Sequence, residues 1–454
     1  MENSKQRLPF GFYVCALSFT FERLAYYAAK WGVAIFMVAQ VAKGGLGLSQ
    51  AEGALMSSWY VAFTYITPLI GGYIADRWVS PRLLVPLGEI LMGLGYLCAW
   101  QAQGKGMILI MIVLLSIGTG FFKGNVSGIN GRQFGADDTE TLNRVFSYQY
   151  SFVNIGSFCG TTFLSLVGLK YGFRLMFLIC GIFMFIDTAW WLIGQKSLGD
   201  AGKKPFKIDN REEKTEDEQK DVEPLTKNEK KRVTAIVIVT VFSGFFWLIW
   251  YMVYLPVYYQ FGPKGQGGYG WADWSIGSKE MPTAWFDSEN GLLCIILCLL
   301  APILWKKLAE RPQGDWSMWK KTAIGMLFLG LCTGMMVIGA IMSKEGKGEP
   351  VGIWIVILTG LFMTVGEVTF SPLGNSFISE YAPKKLLGFL MGVWPVAIFF
   401  AGLGYGPLYN WLAKFSFTKA YGAVTIVIVV GAIIMLAVDK KFMALISATD
   451  EDEE

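Results

Sequence analysis

Long apolar stretches alternate with short polar segments along almost the whole chain. Twelve windows are long and apolar enough to cross a bilayer as helices, because about 20 residues span its hydrocarbon core. Their approximate limits are 10–40, 51–76, 82–103, 106–130, 143–169, 173–195, 232–261, 289–309, 319–343, 351–380, 385–411 and 418–438. The pattern therefore predicts an all-α membrane protein with twelve transmembrane helices.

One segment between the sixth and seventh windows has a different composition. It reads KSLGDAGKKPFKIDNREEKTEDEQKDVEPLTKNEKK and is highly charged and nearly free of aromatic residues, which is typical of a solvated linker. The predicted organisation is a six-helix bundle over 1–195, a cytoplasmic linker over 196–231, and a second six-helix bundle over 232–454 with an acidic cytoplasmic tail. Two six-helix halves joined in this way resemble the major facilitator architecture.

The composition agrees with a polytopic membrane protein and argues against an enzyme. The 454 residues are 54% hydrophobic and 16% charged, with 53 glycines that favour close helix packing. There is no histidine, and the seven cysteines lie in apolar windows without a CxxC pair, so neither a zinc site nor a disulfide framework is expected. No nucleophile and base set, phosphate loop or metal cluster is visible. We expect no cofactor, no metal and no nucleic-acid partner.

The distribution of basic residues predicts the orientation in the membrane. With the N-terminus in the cytoplasm, the inner segments hold 26 Lys and Arg and the outer loops hold 10, as the positive-inside rule requires. Both termini are therefore predicted to be cytoplasmic. No cleavable signal peptide is expected before the first window. The longest outer loop, 262–288, is rich in glycine and is predicted to be irregular, either as an interfacial loop, which we favour, or as a lid over the outer mouth.

The first window contains a polar stripe at a depth where charge is costly. Its segment FTFERLAYYAAK carries three charged residues. Because burying a charge in the bilayer costs free energy, each is expected to have a partner or a function. At about 100° per residue, one sector of about 140° contains the charged residues and tyrosines of this segment, namely Glu22, Arg23, Tyr26, Tyr27 and Lys30. Two interpretations are open: the stripe faces a polar cavity, or it is a buried structural ion-pair network.

Other charged residues in the windows give the two halves opposite character. Lys123 in the fourth window adds positive charge to Arg23 and Lys30 in the N-terminal half, whereas Glu367 in the tenth window puts a negative charge in the C-terminal half. This polarity suits a zwitterionic substrate, with its carboxylate toward the cations and its ammonium group toward Glu367.

Four more charged residues have other interpretations. Glu89 in the third window and Asp187 in the sixth are interpreted as structural or interfacial. The segment GGYIADRWVSPR ends the second window at the cytoplasmic side, and its paired glycines allow close helix approach. Asp76 and Arg77 in this segment are predicted to form a conformational latch between the inward-open and outward-open states.

Four motifs, in order along both halves, resemble those of the proton-dependent oligopeptide transporter (POT) family of the major facilitator superfamily. The family pattern ExxERFxYY is matched by FTFERLAYY, and the fourth-window lysine pattern by GTGFFKGNVS. The N-x-G-S signature is matched by FSYQYSFVNIGSF, and the tenth-window pattern by GEVTFSPLGNSFISEYAPKKLLGFLMG. The resemblance covers nearly the whole chain.

The resemblance implies specific roles for the matching positions. Arg23 and Lys123 would hold the carboxylate of a peptide, and Lys30 takes a place that arginine usually holds. The amino terminus of the peptide would be held by Glu367 with Asn154 and Asn290. The residues implied to line side-chain pockets are Tyr27, Tyr65, Trp247 and Trp394. Proton coupling is implied for Glu22, Arg23, Lys123 and Glu367.

The chain also departs from the family pattern. Phe19 replaces the first Glu of ExxER, and the seventh window, SGFFWLIWYMVYLPVYYQ, has Tyr251 or a close neighbour where the family often has Glu. The linker is too short and too charged to hold the two extra helices that are common in bacterial members.

The leading hypothesis is proton-coupled symport of di- and tripeptides by alternating access, driven by the proton gradient. The resemblance implies a monomer in the bacterial cytoplasmic membrane whose partners are peptide, protons and lipid. Two alternatives stay open. One is transport of a non-peptide amphiphilic or anionic metabolite or drug, with or without protons, and the other is a transport-inactive sensor or scaffold.

Overall fold

The computed structural model describes residues 8–134, 139–209, 225–383 and 386–447. The chain packs as two compact units, of which the first comprises Met1–Gly47 and Phe63–Thr215 and the second Leu48–Ala62 and Glu216–Glu454. The first part of the second helix therefore packs with the C-terminal helices. For example, Asn410 Nδ2 donates a hydrogen bond to the Ala51 carbonyl over 3.1 Å.

The described residues form twelve long helices, which confirms the predicted all-α fold. In chain order they are α1 (Phe10–Val38), α2 (Gln50–Arg77), α3 (Pro81–Trp100), α4 (Lys105–Gly131), α5 (Thr139–Cys159, continued through a π-helical turn at Gly160–Leu164 into Ser165–Tyr171), α6 (Phe173–Gly194), α7 (Lys227–Tyr259), α8 (Trp285–Ala309), α9 (Met318–Met342), α10 (Trp354–Tyr381), α11 (Leu387–Leu412) and α12 (Phe417–Ser447). In the described part, eight helices are long and apolar enough to cross a membrane, or nine if the bent pair in α8 is one span.

In the first unit, glycines allow the helices to approach at backbone distance. A Cβ added at Gly71 on α2 would lie 1.9 Å from the Gly120 carbonyl oxygen on α4, and one added at Gly156 on α5 would lie 2.4 Å from the Thr20 carbonyl oxygen on α1. Only glycine leaves room for such contacts. Gly120 precedes Lys123 by one turn, and Gly156 follows Asn154. These two helix crossings therefore fix the positions of Lys123 and Asn154 relative to the neighbouring helices.

The beginning of the predicted linker differs from the solvated segment that we expected. Residues 195–209 pack against the first unit, where the Arg82 side chain donates hydrogen bonds to the carbonyls of Ala201 (2.8 Å) and Gly199 (2.6 Å). Phe206 is buried, and the Arg132 guanidinium lies 3.9 Å from the centre of its ring. These contacts join distant positions, which composition alone does not reveal. Residues 210–224 lie outside the described residues.

The second unit contains four short strands, three of them in the loop 262–288 that the sequence predicts to be outer and irregular, and the fourth at the start of the tenth predicted window. β1 (Ala272–Asp273) pairs in parallel with β4 (Val351–Gly352), and β2 (Ser275–Ile276) forms a hairpin with β3 (Lys279–Glu280). Trp271 and Trp274 are buried beside these strands, and Trp274 Nε1 donates to the Phe261 carbonyl over 3.0 Å. The expectation of an irregular loop is therefore wrong for this segment. Its order comes from long-range pairing and buried tryptophans.

Candidate functional site

The polar stripe on α1 is centred on a buried ion pair. Glu22 is 1% exposed and Arg23 7% exposed. The guanidinium binds both carboxylate oxygens, with a distance of 2.5 Å between Nη2 and Oε1 and a shorter contact from Nε to Oε2. Two hydrogen bonds between charged groups offset part of the cost of burying both charges. In this conformation, Glu22 and Arg23 neutralise each other.

Tyrosine rings surround the cations of this stripe. The Arg23 guanidinium carbon lies 4.3 Å from the centre of the Tyr26 ring and 5.8 Å from that of Tyr27, and Lys30 Nζ lies 5.8 Å from the Tyr27 ring centre. The Tyr26 hydroxyl is 3.3 Å from Thr64 Oγ1 on α2. Cation–π attraction strengthens when the cation is desolvated, so the rings help hold these charges. Four of the five stripe residues are buried in this conformation.

Lys123 lies beside the same cluster. Its Nζ is 4.8 Å from the centre of the Tyr65 ring on α2, and the charged groups that act on it are Arg23 and Glu22. The close crossing of α2 and α4 explains why a lysine and a tyrosine from different helices meet. The first unit therefore brings together Glu22, Arg23, Lys123 and Tyr65.

Phe19 shows what replaces the first acidic residue of the family motif. Its side chain is 3% exposed, and its ring packs edge to face against Phe122, with 5.3 Å between ring centres. An apolar contact between α1 and α4 therefore stands where the resemblance would place a carboxylate, next to Lys123.

Asn154 is buried on α5 and donates its Nδ2 hydrogen to the Tyr150 carbonyl of its own helix over 2.9 Å. Asp76 is half-buried and Arg77 exposed at the end of α2. The Arg77 guanidinium lies 3.9 Å from the centre of the Tyr73 ring. Their proposed roles in amino-terminus binding and in a latch stay predictions.

In the second unit, the structure brings Asn290 and Glu367 together. Asn290 Nδ2 on α8 donates to Glu367 Oε2 on α10 over 2.8 Å, and it lies 3.0 Å from Thr364 Oγ1. Cys294, one turn further along α8, has its Sγ 3.8 Å from the same carboxylate oxygen. The resemblance implied that Asn290 and Glu367 act together, whereas the neighbours Thr364 and Cys294 were not foreseen.

The two predicted tryptophans of this unit belong to one aromatic cluster. Trp247 packs against Phe246 on α7, with 5.6 Å between ring centres. Phe246 stacks on Phe370 of α10 at 4.2 Å, and Phe370 stacks on Trp394 of α11 at 6.4 Å. The phenylalanines that join these helices were missed, although the dense aromatic run in the seventh window was a visible signal.

Sequence reasoning also missed Glu289, which directly precedes Asn290. A Cβ added at Gly360 on α10 would lie 2.6 Å from Glu289 Oε2, so this carboxylate occupies the space that the glycine leaves. Its position at the edge of an apolar window was the available signal. Among the residues that the structure describes, no three His, Cys, Asp or Glu side chains gather in a way that could hold a metal ion.

Comparison with known proteins identifies the fold and the family. A family model described as Major Facilitator Superfamily matches residues 23–394. The chain belongs to the major facilitator superfamily. Among curated members, an uncharacterized transporter, YclF, of Bacillus subtilis (strain 168) is 24% identical over 94% of this chain and 93% of its own. Dipeptide and tripeptide permease A of Salmonella typhimurium is 25% identical over 85% of this chain and 81% of its own.

Solved structures of this superfamily share the fold. A peptide transporter POT in complex with sulfate has a TM-score of 0.86 at 23% identity and covers 98% of this chain and 97% of its own. A POT family transporter in complex with 5-aminolevulinic acid has a TM-score of 0.83 at 22% identity, over 96% and 97%. These similarities agree with the resemblance to the POT family that the four motifs indicated. The chain is a multi-pass membrane transporter of this superfamily.

Proposed function

We propose that this transporter is a proton-coupled symporter of di- and tripeptides that works by alternating access. The observation that carries the proposal is the opposite character of two charged sites, each held by specific neighbouring side chains. In the first unit, Arg23 and Lys123 lie against tyrosine rings. In the second, Asn290 orients the Glu367 carboxylate. A peptide has an anionic and a cationic end, and these sites suit one end each.

The family members support the choice of substrate. Relatives spanning most of the chain are named dipeptide and tripeptide permeases, and one structural neighbour is described as a POT family transporter in complex with a thioalcohol conjugated peptide. We propose that Arg23 and Lys123, with Lys30 nearby, bind the substrate carboxylate, and that Glu367, Asn290 and Asn154 bind its amino group. The proposed pocket walls are Tyr27, Tyr65, Trp247 and Trp394.

Proton coupling is proposed to act through the buried ion pair. Protonation of Glu22 would remove the negative charge that Arg23 neutralises and free both Arg23 and Lys123 for a substrate carboxylate. Glu367 would take or release a proton as the substrate ammonium group leaves or arrives. Because the chain has no histidine, the relay uses carboxylates, tyrosines and water.

The central test replaces Lys123. In proteoliposomes, Lys123→Ala is expected to abolish dipeptide uptake driven by a pH gradient, because the substrate carboxylate loses a cation. Lys170→Ala is the control, since Lys170 is an exposed lysine near the end of α5 and its removal should leave uptake unchanged. Wild-type uptake by the Lys123→Ala variant would contradict the proposal.

A second candidate function is transport of a zwitterionic or anionic metabolite that is not a peptide. It is favoured by Phe19, which places an aromatic contact where the motif has a carboxylate. Dipeptides and non-peptide anions should be compared as competitors and as ligands in thermal-shift screening, because ligand binding to the native state raises its stability. A ligand set without peptides would favour this candidate, and absence of any flux in liposomes would favour a sensor or scaffold.

We further propose that the protein lies in the bacterial cytoplasmic membrane as a monomer, with both termini in the cytoplasm and an acidic tail there. The proposed division is the N-terminal bundle 1–195, the linker 196–231 and the C-terminal bundle with its tail, 232–454. The supporting observations are the bacterial relatives and the bias of basic residues toward the inner segments.

A further inference from the structure

Two carboxyl side chains are completely buried inside the first unit, outside the site described above. Glu89 on α3 and Asp187 on α6 both have 0% of their surface exposed. None of their four carboxyl oxygens has a hydrogen-bond partner in the described residues. Burying an ionised carboxylate without partners is very costly, so this arrangement requires an explanation.

Helix packing places both carboxyls between two contacts of α3 with α6. Near one end, Trp191 Nε1 on α6 donates to the Arg82 carbonyl of α3 over 3.3 Å. Two turns or more further on, a Cβ added at Gly181 would lie 3.3 Å from the Gly93 carbonyl oxygen. Glu89 and Asp187 lie between these antiparallel contacts, and Asp187 is the charged group that acts most strongly on Glu89.

Besides α3 and α6, which carry the two carboxyls, α1 also packs against this cluster. Trp190 Nε1 donates to the Val14 carbonyl over 3.2 Å, which brings the next turn of α1 to the level of Asp187. There, Ser18 is 0% exposed, and its hydroxyl lies next to Asp187 without a hydrogen bond of good geometry. One turn further along α1 is Glu22.

The charged surroundings of the pair contain carboxyls only. Besides acting on each other, Glu89 and Asp187 are both affected by Glu22, and Glu22 is already paired with Arg23. Lys123 on α4, which packs against α3, has Arg23 and Glu22 as its charged neighbours. Two adjacent carboxyls in an apolar interior cannot both be ionised, so at least one carries a proton.

We propose that Glu89 and Asp187 form a second proton-binding site, which is occupied in this conformation and gives up its proton during the transport cycle. The receiver is the Glu22 carboxylate, reached through the Ser18 hydroxyl or water that enters as the helices move. In this step the pair goes from two protons to one, so that one of its carboxyls becomes a carboxylate while the other stays protonated, and Glu22 becomes neutral. Arg23 then loses its partner and is free for a substrate anion.

This site offers a replacement for the carboxyl that the family motif has at the position of Phe19. Ser18, whose hydroxyl lies next to Asp187, is the residue directly before Phe19, so the pair lies against the same turn of α1. The transport part of the inference rests on the proposed proton coupling, but the presence of a bound proton does not.

The first experiment detects the proton without any substrate. Infrared spectra of the purified, reconstituted protein should show the carbonyl band of a buried carboxylic acid, which disappears as the pH is made strongly alkaline. The band should be lost or changed in Asp187→Asn and in Glu89→Gln. It should be unchanged in Asp200→Asn, which alters an exposed carboxyl paired with Lys203. A spectrum without such a band, or a band identical in all variants, would overturn the proposal.

The second experiment asks whether the proton leaves during transport. An amide imitates a permanently protonated carboxyl, so Asp187→Asn and Glu89→Gln should lower accumulation driven by a pH gradient by about tenfold, a coupling of ordinary size. Substrate exchange without a gradient should persist. Full accumulation in both variants would show that the pair is permanently protonated and structural, and loss of both accumulation and exchange in a stably folded variant would also overturn the proposal. If the wild-type protein transports no peptide, the proposed function fails while the infrared result still decides the proton site.

Discussion

At the scale of single residues, the charges in this protein are held by specific neighbours. Arg23 has a carboxylate and two tyrosine rings around it, and Lys123 has the ring of Tyr65. Glu367 instead accepts a hydrogen bond from an amide. An amide donor orients a carboxylate without adding a formal charge beside it, unlike the guanidinium that pairs with Glu22.

The contact between Asn290 and Glu367 gives a prediction for substrate affinity. A hydrogen bond to a charged group contributes about 1.5–3 kcal/mol, so Asn290→Ala should weaken dipeptide binding by about tenfold to a hundredfold. Calorimetric titration of the purified variant measures this. Asn410→Ala is a matched control in the same unit, because Asn410 donates to the Ala51 carbonyl and not to Glu367. Equal affinity in the two variants would refute a role for Asn290 in orienting Glu367.

At the scale of helices, backbone contact between α2 and α4 depends on one of two adjacent glycines. A Cβ added at Gly71 would overlap the Gly120 carbonyl group, whereas one added at Gly72 would meet nothing within 4 Å. The motif GGYIADR therefore contains one glycine that packing requires and one that it does not.

We predict opposite effects of alanine at these two positions. Gly71→Ala should force α2 and α4 apart and destabilise the protein by about 1–3 kcal/mol. The melting temperature in detergent should fall, and transport should weaken because Lys123 on α4 is displaced. Gly72→Ala should be neutral or slightly stabilising, because alanine favours a helix over glycine by about 0.5–1 kcal/mol. Equal melting temperatures for both variants would contradict the close crossing.

The loop before β4 contributes a cap to the last helix. The Glu345 carboxylate accepts hydrogen bonds from Ser416 Oγ (2.7 Å) and from the Thr418 backbone amide (2.9 Å) at the start of α12. Burial opposes ionisation of this group, but the hydrogen bonds from Ser416 and Thr418 outweigh it and lower the pKa of Glu345. A carboxylate at a helix N-terminus also interacts favourably with the helix dipole.

This cap predicts a pH-dependent stability. Because the pKa of Glu345 is lower in the folded state, its contribution is complete above the unfolded pKa and is lost as the pH falls through the folded pKa. Glu345→Gln should cost about 0.5–2 kcal/mol at neutral pH and progressively less in acid. Melting temperatures across this range measure the difference. The exposed Glu349 of the same loop provides the control, since Glu349→Gln also removes one carboxylate but leaves the hydrogen bonds of Glu345 to α12 intact.

At the scale of the whole molecule, the apolar pattern predicted the helices well and their ends less well. A span of apolar residues has few alternatives to a membrane helix, so each of the twelve windows corresponds to a long helix among the described residues. Helix ends depend on local capping. α7 begins at Lys227 and not at 232, because Thr226 and Glu229 form a capping box.

Features that depend on contacts between distant residues could not be predicted. The contact of Phe206 with Arg132 and the pairing of β1 with β4 each join residues that are far apart in the sequence. The same holds within the candidate site. The motifs identified Glu22, Arg23, Lys123 and Glu367, but only coordinates reveal that Phe19 packs on Phe122 and that Glu89 lies beside Asp187.

The orientation of the molecule in the membrane gives the last prediction. With the N-terminus in the cytoplasm, the hairpin of β2 and β3 is outside the cell and the segment after α6 is inside. The exposed residues Ser278 and Asp200 can each be replaced by cysteine, because the seven native cysteines lie in apolar spans where a charged maleimide does not reach. Ser278→Cys should react with this reagent in intact cells, and Asp200→Cys only after permeabilisation. The reverse result would invert the topology, and it would place the acidic tail and the linker outside the cell, against the distribution of basic residues.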